Sequence, residues 1–178
     1  MVFMLIIARF DPVVCQPAVS SHLLSHPWSA QWITHPTASG TEYGVFHFRK
    51  TFDLESVSEH FIINITAVPR YQLYVNGHYV NEGPSKGDLD HWKFETIDIA
   101  SYLVTGKNVI AALLINFAEL APESVTGSYS QFLIQGNSSQ EDIVNSDTYL
   151  EGKNQPGLSW TGRFEMGHSW FLRGRTWR

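Results

Sequence analysis

The amino-acid sequence predicts an all-β protein, an antiparallel β-sandwich with a jelly-roll arrangement. From Val45 onward, short apolar runs alternate with turn residues, and their dominant hydrophobic period is two rather than 3.6. About six such runs follow one another at short spacing. Almost no stretch has the pattern of an amphipathic helix, so two sheets have to cover one another to bury their apolar faces.

The first strands are predicted at residues 45–52 and 61–67. Successive residues of a strand point to opposite faces, so residues two apart share a face. In the first run three phenylalanines share one parity, while His47, Arg49 and Thr51 take the other. Each run therefore has one face suited to a core. The residues on these faces are Phe46, Phe48, Phe52, Phe61, Ile63, Ile65 and Ala67.

A β-hairpin is predicted with its tip at Asn76-Gly77. The run 71–75 leads into this pair, and the chain returns through 78–81. Asn-Gly between β-rich segments is the strongest short hairpin signal, because both central residues of a type I′ turn need a positive φ.

The segment from Glu82 to Trp92 is predicted to be a functional loop. It has two glycines, a proline and three acidic residues, and no regular hydrophobic period. A loop of this length inside a small domain is uncommon unless it carries a function.

The remaining elements follow this loop. Residues 94–99 are predicted as a strand, 100–103 as a helical turn and 105–108 as a turn. The run 109–117 is apolar on both parities, which predicts a central strand covered on both faces. A last strand is predicted at 131–135.

The two ends of the chain differ from this pattern. Residues 1–27 are interpreted as a leader, disordered or signal-like, 28–150 as the sandwich, and 151–178 as a linker or aberrant tail. Residues 163–178 show neither strand nor helix periodicity. Met1 to Ala8 is about as long as the core of a signal peptide, but it is incomplete as a signal because no basic residue precedes it and Arg9 and Asp11 follow at once. A periplasmic or secreted location is slightly favoured, and a ragged or mis-started N-terminus is the alternative interpretation of the segment.

Composition narrows the classes of partner. Only 16% of residues are charged, against about 25% in typical domains, so the surface relies on neutral polar groups that suit a sugar. The net charge of -5 disfavours nucleic acid. Cys15 is the only cysteine, which excludes an internal disulfide and a cysteine zinc cage. No run reaches the roughly 20 apolar residues of a membrane span.

An ordered set of motifs carries a family resemblance. The matching stretches are 29–33 (SAQWI), 48–52 (FRKTF), 70–77 (RYQLYVNG), 83–92 (GPSKGDLDHW), 98–103 (DIASYL) and 106–111 (GKNVIA). Over about Trp28 to Leu150 the sequence resembles the N-terminal domain of bacterial α-L-rhamnosidases of glycoside hydrolase family 78. The resemblance implies a galactose-binding-like jelly roll. It also implies that the catalytic barrel, with the carboxylates of an inverting mechanism, is missing from this chain, so no catalytic residue is carried over.

Five residues are candidates for carbohydrate contact. An aromatic face stacks on the C–H face of a pyranose while nearby carboxylates accept hydroxyl protons, which points to Trp92, Asp88 and Asp90. Tyr71 and Arg70 open the hairpin strand and are expected near the same loop. A structural alternative stays open for each: Trp92 closing the core, the carboxylates stabilising the loop, and the Arg70 stem covering apolar surface.

Catalytic and metal sites are not expected. Asp88 and Asp90 lie on one short loop with no apolar pocket evident to raise a pKa, so an acid–base pair is disfavoured. His22 and His26 have helical spacing but sit among Ser and Pro, where no helix is expected. No cofactor is predicted, although Asp88, Asp90 and loop carbonyls leave structural calcium as an alternative.

Three functions are weighed. The leading hypothesis is an accessory, carbohydrate-binding domain of a rhamnosidase-like enzyme, with carbohydrate and the downstream catalytic domain as partners. The alternatives are a free-standing lectin-like module and a purely structural spacer.

Overall fold

The structure is a computed structural model that describes residues 17–35, 41–88, 91–121 and 129–147, and the backbone of Thr161–Glu165. Nine strands and one short α-helix lie in these ranges. The strands are β1 (Ile33–Thr34), β2 (Gly44–Leu54), β3 (Ile62–Val68), β4 (Arg70–Val75), β5 (His78–Gly83), β6 (Glu95–Asp98), β7 (Gly106–Asn116), β8 (Gln131–Gly136) and β9 (Thr161–Glu165). The helix is α1 (Ser21–Ser25), and single 3-10 turns occur at Ala100–Tyr102, Ala118–Leu120 and Asp142–Val144.

The strands form two antiparallel sheets, which confirms the predicted β-sandwich. One sheet has the strand order β1-β8-β3-β6, and the other has the order β5-β4-β7-β2-β9. Both are antiparallel throughout. The inner faces supply the core, because alternate residues of each strand are buried as the period of two requires. All seven predicted core residues are buried: Phe46, Phe48, Phe52, Phe61, Ile63, Ile65 and Ala67.

The predicted hairpin is confirmed, with Asn76 and Gly77 at φ 49° and 83°. The Asn76 side chain links this tip to β7. Its Nδ2 donates to the carbonyl of Tyr102 and to Asn108 Oδ1, both at 2.8 Å, and its Oδ1 accepts from the Val109 N–H at 2.8 Å. Asparagine therefore supplies both the backbone conformation and three hydrogen bonds.

Strand β7 is central, as predicted, but it differs from the sequence interpretation in two respects. It begins at Gly106, whereas residues 105–108 were interpreted as a turn. Its inner side chains are buried while the outer ones are only half-buried, so the strand is not fully covered on both faces. Most outer side chains of β7 are apolar, although no second layer of described residues covers them. Residues of the neighbouring strands shield them from the side, as Tyr74 of β4 does where it pairs with Ala111.

The expectation that no helix forms around His22 and His26 is wrong. The Ser20 side chain accepts a hydrogen bond from the Leu23 N–H at 3.4 Å, the usual N-cap contact that lets a Ser-rich segment begin a helix. The two histidine rings stack with centroids 4.3 Å apart. None of the helices in the described ranges has the length to cross a bilayer.

Residues 161–165 also depart from the sequence interpretation, which found no strand there. Strand β9 pairs with β2, from Thr161 opposite Arg49 to Glu165 opposite Val45. An edge strand is held by backbone hydrogen bonds to one neighbour, so it does not need an alternating pattern. Residues 166–178 and 1–16 lie outside the described residues.

Candidate functional site

The N-terminal segment crosses the outer face of the four-stranded sheet. We call residues 17–32 the strap. Its backbone is held by side chains of β8 and of the turn that follows: Gln135 Oε1 accepts from the Ala30 N–H at 2.8 Å, and Asn137 Oδ1 accepts from the Ser20 N–H at 2.9 Å. These contacts place the tryptophans of the strap over the sheet.

The loop after β5 meets the same face at Thr66. The Thr66 hydroxyl accepts from the Trp92 indole N–H at 2.9 Å and donates to the Lys93 carbonyl at 2.7 Å. Thr66 is only 4% exposed. One buried hydroxyl therefore fixes both the Trp92 ring and the backbone beside it.

Between the strap and this loop lies an open cleft of about 530 Å³. Four aromatic residues, two from each wall, dominate its lining. The lining residues are Trp28, Ala30, Gln31 and Trp32 from the strap, Trp92, Lys93 and Phe94 from the loop, and Thr66 and Leu133 from the sheet. We call this the aromatic cleft.

The rings of the aromatic cleft differ in what they leave exposed. Trp28 packs edge-on against Phe94 with centroids 5.0 Å apart, and its indole N–H donates to the Leu23 carbonyl at 3.2 Å. Trp32 is 39% exposed and Phe94 is 37% exposed. The cleft therefore offers partly exposed ring surface from both walls.

Of the residues singled out from the sequence, Trp92 lies in the aromatic cleft and Asp88 does not line it. The Asp88 carboxylate accepts from the His91 backbone N–H at 2.7 Å and lies 2.9 Å from His91 Nδ1, so it stabilises the loop. Asp90 lies outside the described residues. The geometry of an Asp88–Asp90 pair is therefore not part of the described site.

Tyr71 and Arg70 are on different sides of the five-stranded sheet. Tyr71 points into the core and is 1% exposed, and burial, followed by the charge of Glu95, raises the pKa of its hydroxyl. That hydroxyl donates to Glu95 Oε2 at 3.1 Å. Arg70 lies on the outer face, 4.0 Å from Glu82. Neither residue reaches the aromatic cleft.

Glu95 ties the start of the loop to the sandwich. Its Oε1 accepts from the Ser85 N–H at 2.5 Å and from the Ser85 hydroxyl at 2.8 Å. Gly83 makes room for this contact, because a Cβ there would lie 2.5 Å from Glu95 Oε2. The loop is thus attached at Ser85 and at Trp92, which sets the position of one wall of the cleft.

No group of three His, Cys, Asp or Glu residues suited to a metal ion occurs in the described part of the chain. The calcium alternative depended partly on Asp90, which lies outside it. His22 and His26 stack on each other at the surface of α1.

Several solved structures of rhamnosidases contain a similar fold. A rhamnosidase of family GH78 from Bacillus sp. GL1 superposes with a TM-score of 0.59 at 24% identity, over 77% of this chain and 13% of that one. The chain has the fold of part of a rhamnosidase. It spans about 13% of that relative's length.

Two other α-L-rhamnosidases superpose less well. The enzyme from Dictyoglumus thermophilum gives a TM-score of 0.49 at 21% identity, over 60% of this chain and 14% of its own. The enzyme from Streptomyces avermitilis, complexed with L-rhamnose, gives 0.47 at 19% identity, over 79% and 14%. No protein-family model matches the sequence, and no curated protein matches it.

Three aromatic residues that line the cleft were not among the candidates from the sequence: Trp28, Trp32 and Phe94. From the sequence alone, the two tryptophans are expected only to anchor the N-terminal segment. A usable signal was present, since two tryptophans four residues apart in a Pro/Ser-rich segment have no core of their own to fill. They lie near Trp92 because Gln135 and Asn137, which are distant in sequence, hold the strap on the sheet.

Proposed function

We propose that this chain is the N-terminal accessory domain of an α-L-rhamnosidase-like glycoside hydrolase that acts on rhamnose-containing glycans, and that it binds carbohydrate in the aromatic cleft. The catalytic barrel of that enzyme lies outside the chain. The fold likeness to the Bacillus rhamnosidase over a small share of its length supports the first part. The observation that carries the second is the aromatic cleft itself. A galactose-binding-like jelly-roll classification belongs to the same proposal.

The cleft has the chemistry that a sugar ring needs. Pyranose rings have an apolar C–H face that stacks on aromatic side chains, and ligand sites are concave, mostly apolar surfaces with a few polar groups. Trp32 and Phe94 offer partly exposed rings from opposite walls, and Thr66 holds the Trp92 ring by a hydrogen bond from its indole N–H. A monosaccharide unit fits a space of about 530 Å³.

Hydrolysis is assigned to the parent enzyme and not to this chain. An inverting glycosidase needs two carboxyl groups roughly 6.5 to 9.5 Å apart across the scissile bond. The residues lining the aromatic cleft include no Asp or Glu. Purified chain is expected to release no p-nitrophenol from p-nitrophenyl α-L-rhamnoside, and measurable turnover would contradict the accessory role.

Binding is tested by calorimetric titration of the chain with L-rhamnose and rhamnose-bearing oligosaccharides. Trp32→Ala and Trp92→Ala are each expected to weaken binding about tenfold or more, as removal of a central aromatic contact does. Tyr79→Ala is the control, because Tyr79 is an exposed aromatic residue on β5 of the other sheet. Absence of binding at millimolar sugar would reject the carbohydrate role.

A structural spacer is the second candidate, favoured by the same exposed rings of Trp32 and Phe94. Apolar surface of this kind also fits a side chain from a neighbouring domain. In that case the parent enzyme would shield Trp32 from solvent quenchers of tryptophan fluorescence, and sugar would not change the shielding. A free-standing lectin-like module makes the same sugar-binding prediction and differs in needing no neighbour.

A further inference from the structure

We infer that the aromatic cleft selects a glycan that carries a carboxylate beside an apolar sugar face, with Lys93 and the Trp32 indole N–H as its donors. This inference rests on the proposed function and specifies the ligand class of the same site. It follows from the hydrogen-bond partners of the polar side chains that line the cleft.

Most polar groups of the cleft are already satisfied by the protein. The indole N–H groups of Trp28 and Trp92 donate to Leu23 and Thr66, and the Thr66 hydroxyl donates to the Lys93 carbonyl. Gln31 also has partners of its own, including the Ser146 carbonyl, which accepts from its N–H at 2.8 Å. These groups are not the primary contacts available to a ligand.

Two polar groups of the lining remain without a protein partner among the described residues: the Trp32 indole N–H and the Lys93 ammonium group. An indole N–H and an ammonium group are donors only and cannot accept a hydrogen bond. The cleft therefore combines exposed aromatic surface with free donors, one of which is charged.

Among the described residues, the carboxylates of Glu95 and Asp88 have partners of their own outside the lining of the cleft. Glu95 accepts from Ser85 and Tyr71, and Asp88 accepts from His91. A sugar hydroxyl has one proton and two lone pairs, so it can bind the donors of the cleft but also has a proton that they cannot accept. A carboxylate accepts only, and a charge-assisted hydrogen bond to it is roughly twice as strong as a neutral one. The charged Lys93 donor beside exposed aromatic surface therefore favours an acidic sugar, such as a uronic acid within a rhamnose-bearing glycan.

The preference for an acidic sugar has to come from short-range contacts in the cleft. The whole chain has a net charge of -5, so its long-range field does not attract an anion. Lys93 is exposed, and an exposed ion pair contributes little, so the expected preference is about fivefold rather than many orders of magnitude.

The experiment compares two disaccharides that differ in one group: a rhamnosyl-uronic acid, and the same disaccharide with its carboxylate reduced to CH₂OH. The 178-residue chain is titrated with each by calorimetry. The acid is expected to bind about fivefold more tightly, and this preference should shrink near 1 M salt, where the Debye length is about 3 Å.

The variant Lys93→Met separates the charge from the stacking. It is expected to abolish the preference, because the acid should lose more affinity than the reduced disaccharide when the charge is removed. Lys107→Met is the matched control, since Lys107 is an exposed lysine at the start of β7 in the other sheet, and it should keep the preference.

Three results would overturn the inference. Equal affinities for the two disaccharides, or a preference that Lys93→Met does not reduce, would refute acid selection while sugar binding at the cleft stands. If neither disaccharide binds, the proposed carbohydrate role falls together with the inference.

Discussion

Thr66 is the residue on which the wall of the aromatic cleft depends. Its hydroxyl is nearly buried, and it is used twice, as acceptor for Trp92 and as donor to the Lys93 carbonyl. Threonine is common in strands because its branched side chain packs well there. At this position the hydroxyl adds a second role, since it joins the sheet to the loop.

We expect Thr66→Val to keep the shape of the side chain but to lose both hydrogen bonds. Two partly buried partners would then be unsatisfied, at a cost of about 1–3 kcal/mol in the free energy of unfolding. Urea denaturation measures the loss, and Trp92 fluorescence should shift because the indole N–H is released. Thr51→Val on the outer row of β2 is the control. Equal stability of the two variants would argue against the role of Thr66.

At the residue scale the sequence identified one cleft residue of the loop and missed those of the strap. Trp92 was found because it ends an irregular, Gly-rich loop, which is a local signal. Trp28 and Trp32 reach the cleft because Gln135 and Asn137 hold the strap from more than a hundred positions away. Such pairings have no local signature. Asp88, Tyr71 and Arg70 are near Trp92 in sequence or strand order, but they point in other directions.

The β4–β5 hairpin shows which elements a sequence specifies best. Its turn depends on the φ angles of two adjacent residues, and Asn-Gly is the pair that tolerates them. Helix α1 was missed for the opposite reason, because its five residues have no hydrophobic period and begin only through the Ser20 cap. Strand β9 was missed because it is held by the backbone of β2.

For the hairpin, Asn76→Ala is expected to cost about 3 kcal/mol of unfolding free energy, since three hydrogen bonds between the turn and β7 are lost. Gly77→Ala is the matched variant. A Cβ at Gly77 meets nothing within 4 Å, so its cost is the conformational penalty alone, about 1–2 kcal/mol. Urea unfolding of both variants measures which of them loses more unfolding free energy. A larger loss for Gly77→Ala would contradict the bonding role of Asn76.

For the molecule as a whole, the sequence predicted two covered sheets but not which strands lie side by side. The alternation of Phe46, Phe48 and Phe52 predicts that β2 has a core face. It does not predict that β7 and β9 are the neighbours of β2. Antiparallel strands of similar composition give many equivalent orders. The order is decided by how all the inner faces pack together.

Lys50 is the charged exception on that inner face, and it affects the stability of the whole sandwich. It lies on the parity of the phenylalanines of β2, is 5% exposed, and donates from Nζ to the Asn145 carbonyl at 2.9 Å. Burial lowers the pKa of its ammonium group, and the charge of Asp147 opposes this shift. The folded state therefore releases the proton more readily than the unfolded state.

The sign of the resulting pH dependence follows. Below the folded pKa of Lys50 both states are protonated and the burial penalty is present in full; between that pKa and 10.5, the unfolded value, the penalty is progressively lost and stability rises with pH. Lys50→Met should be at least as stable as the natural chain near pH 7, and this advantage should shrink as the pH rises. Thermal unfolding from pH 7 to 10 measures it. A constant difference across this range would refute the assignment to Lys50.

Because of the strap, the aromatic cleft needs a longer stretch of the chain than most of the sandwich does. Most of the strands, from β2 onward, begin after residue 43, yet half of the aromatic rings of the cleft come from residues before β1. A shortened polypeptide starting at Glu42 would retain the larger sheet and three strands of the smaller one while losing Trp28 and Trp32. Trimming the amino terminus to help crystallisation would therefore remove half of the aromatic rings of the cleft, and a failed sugar titration on such material would say nothing about the intact chain.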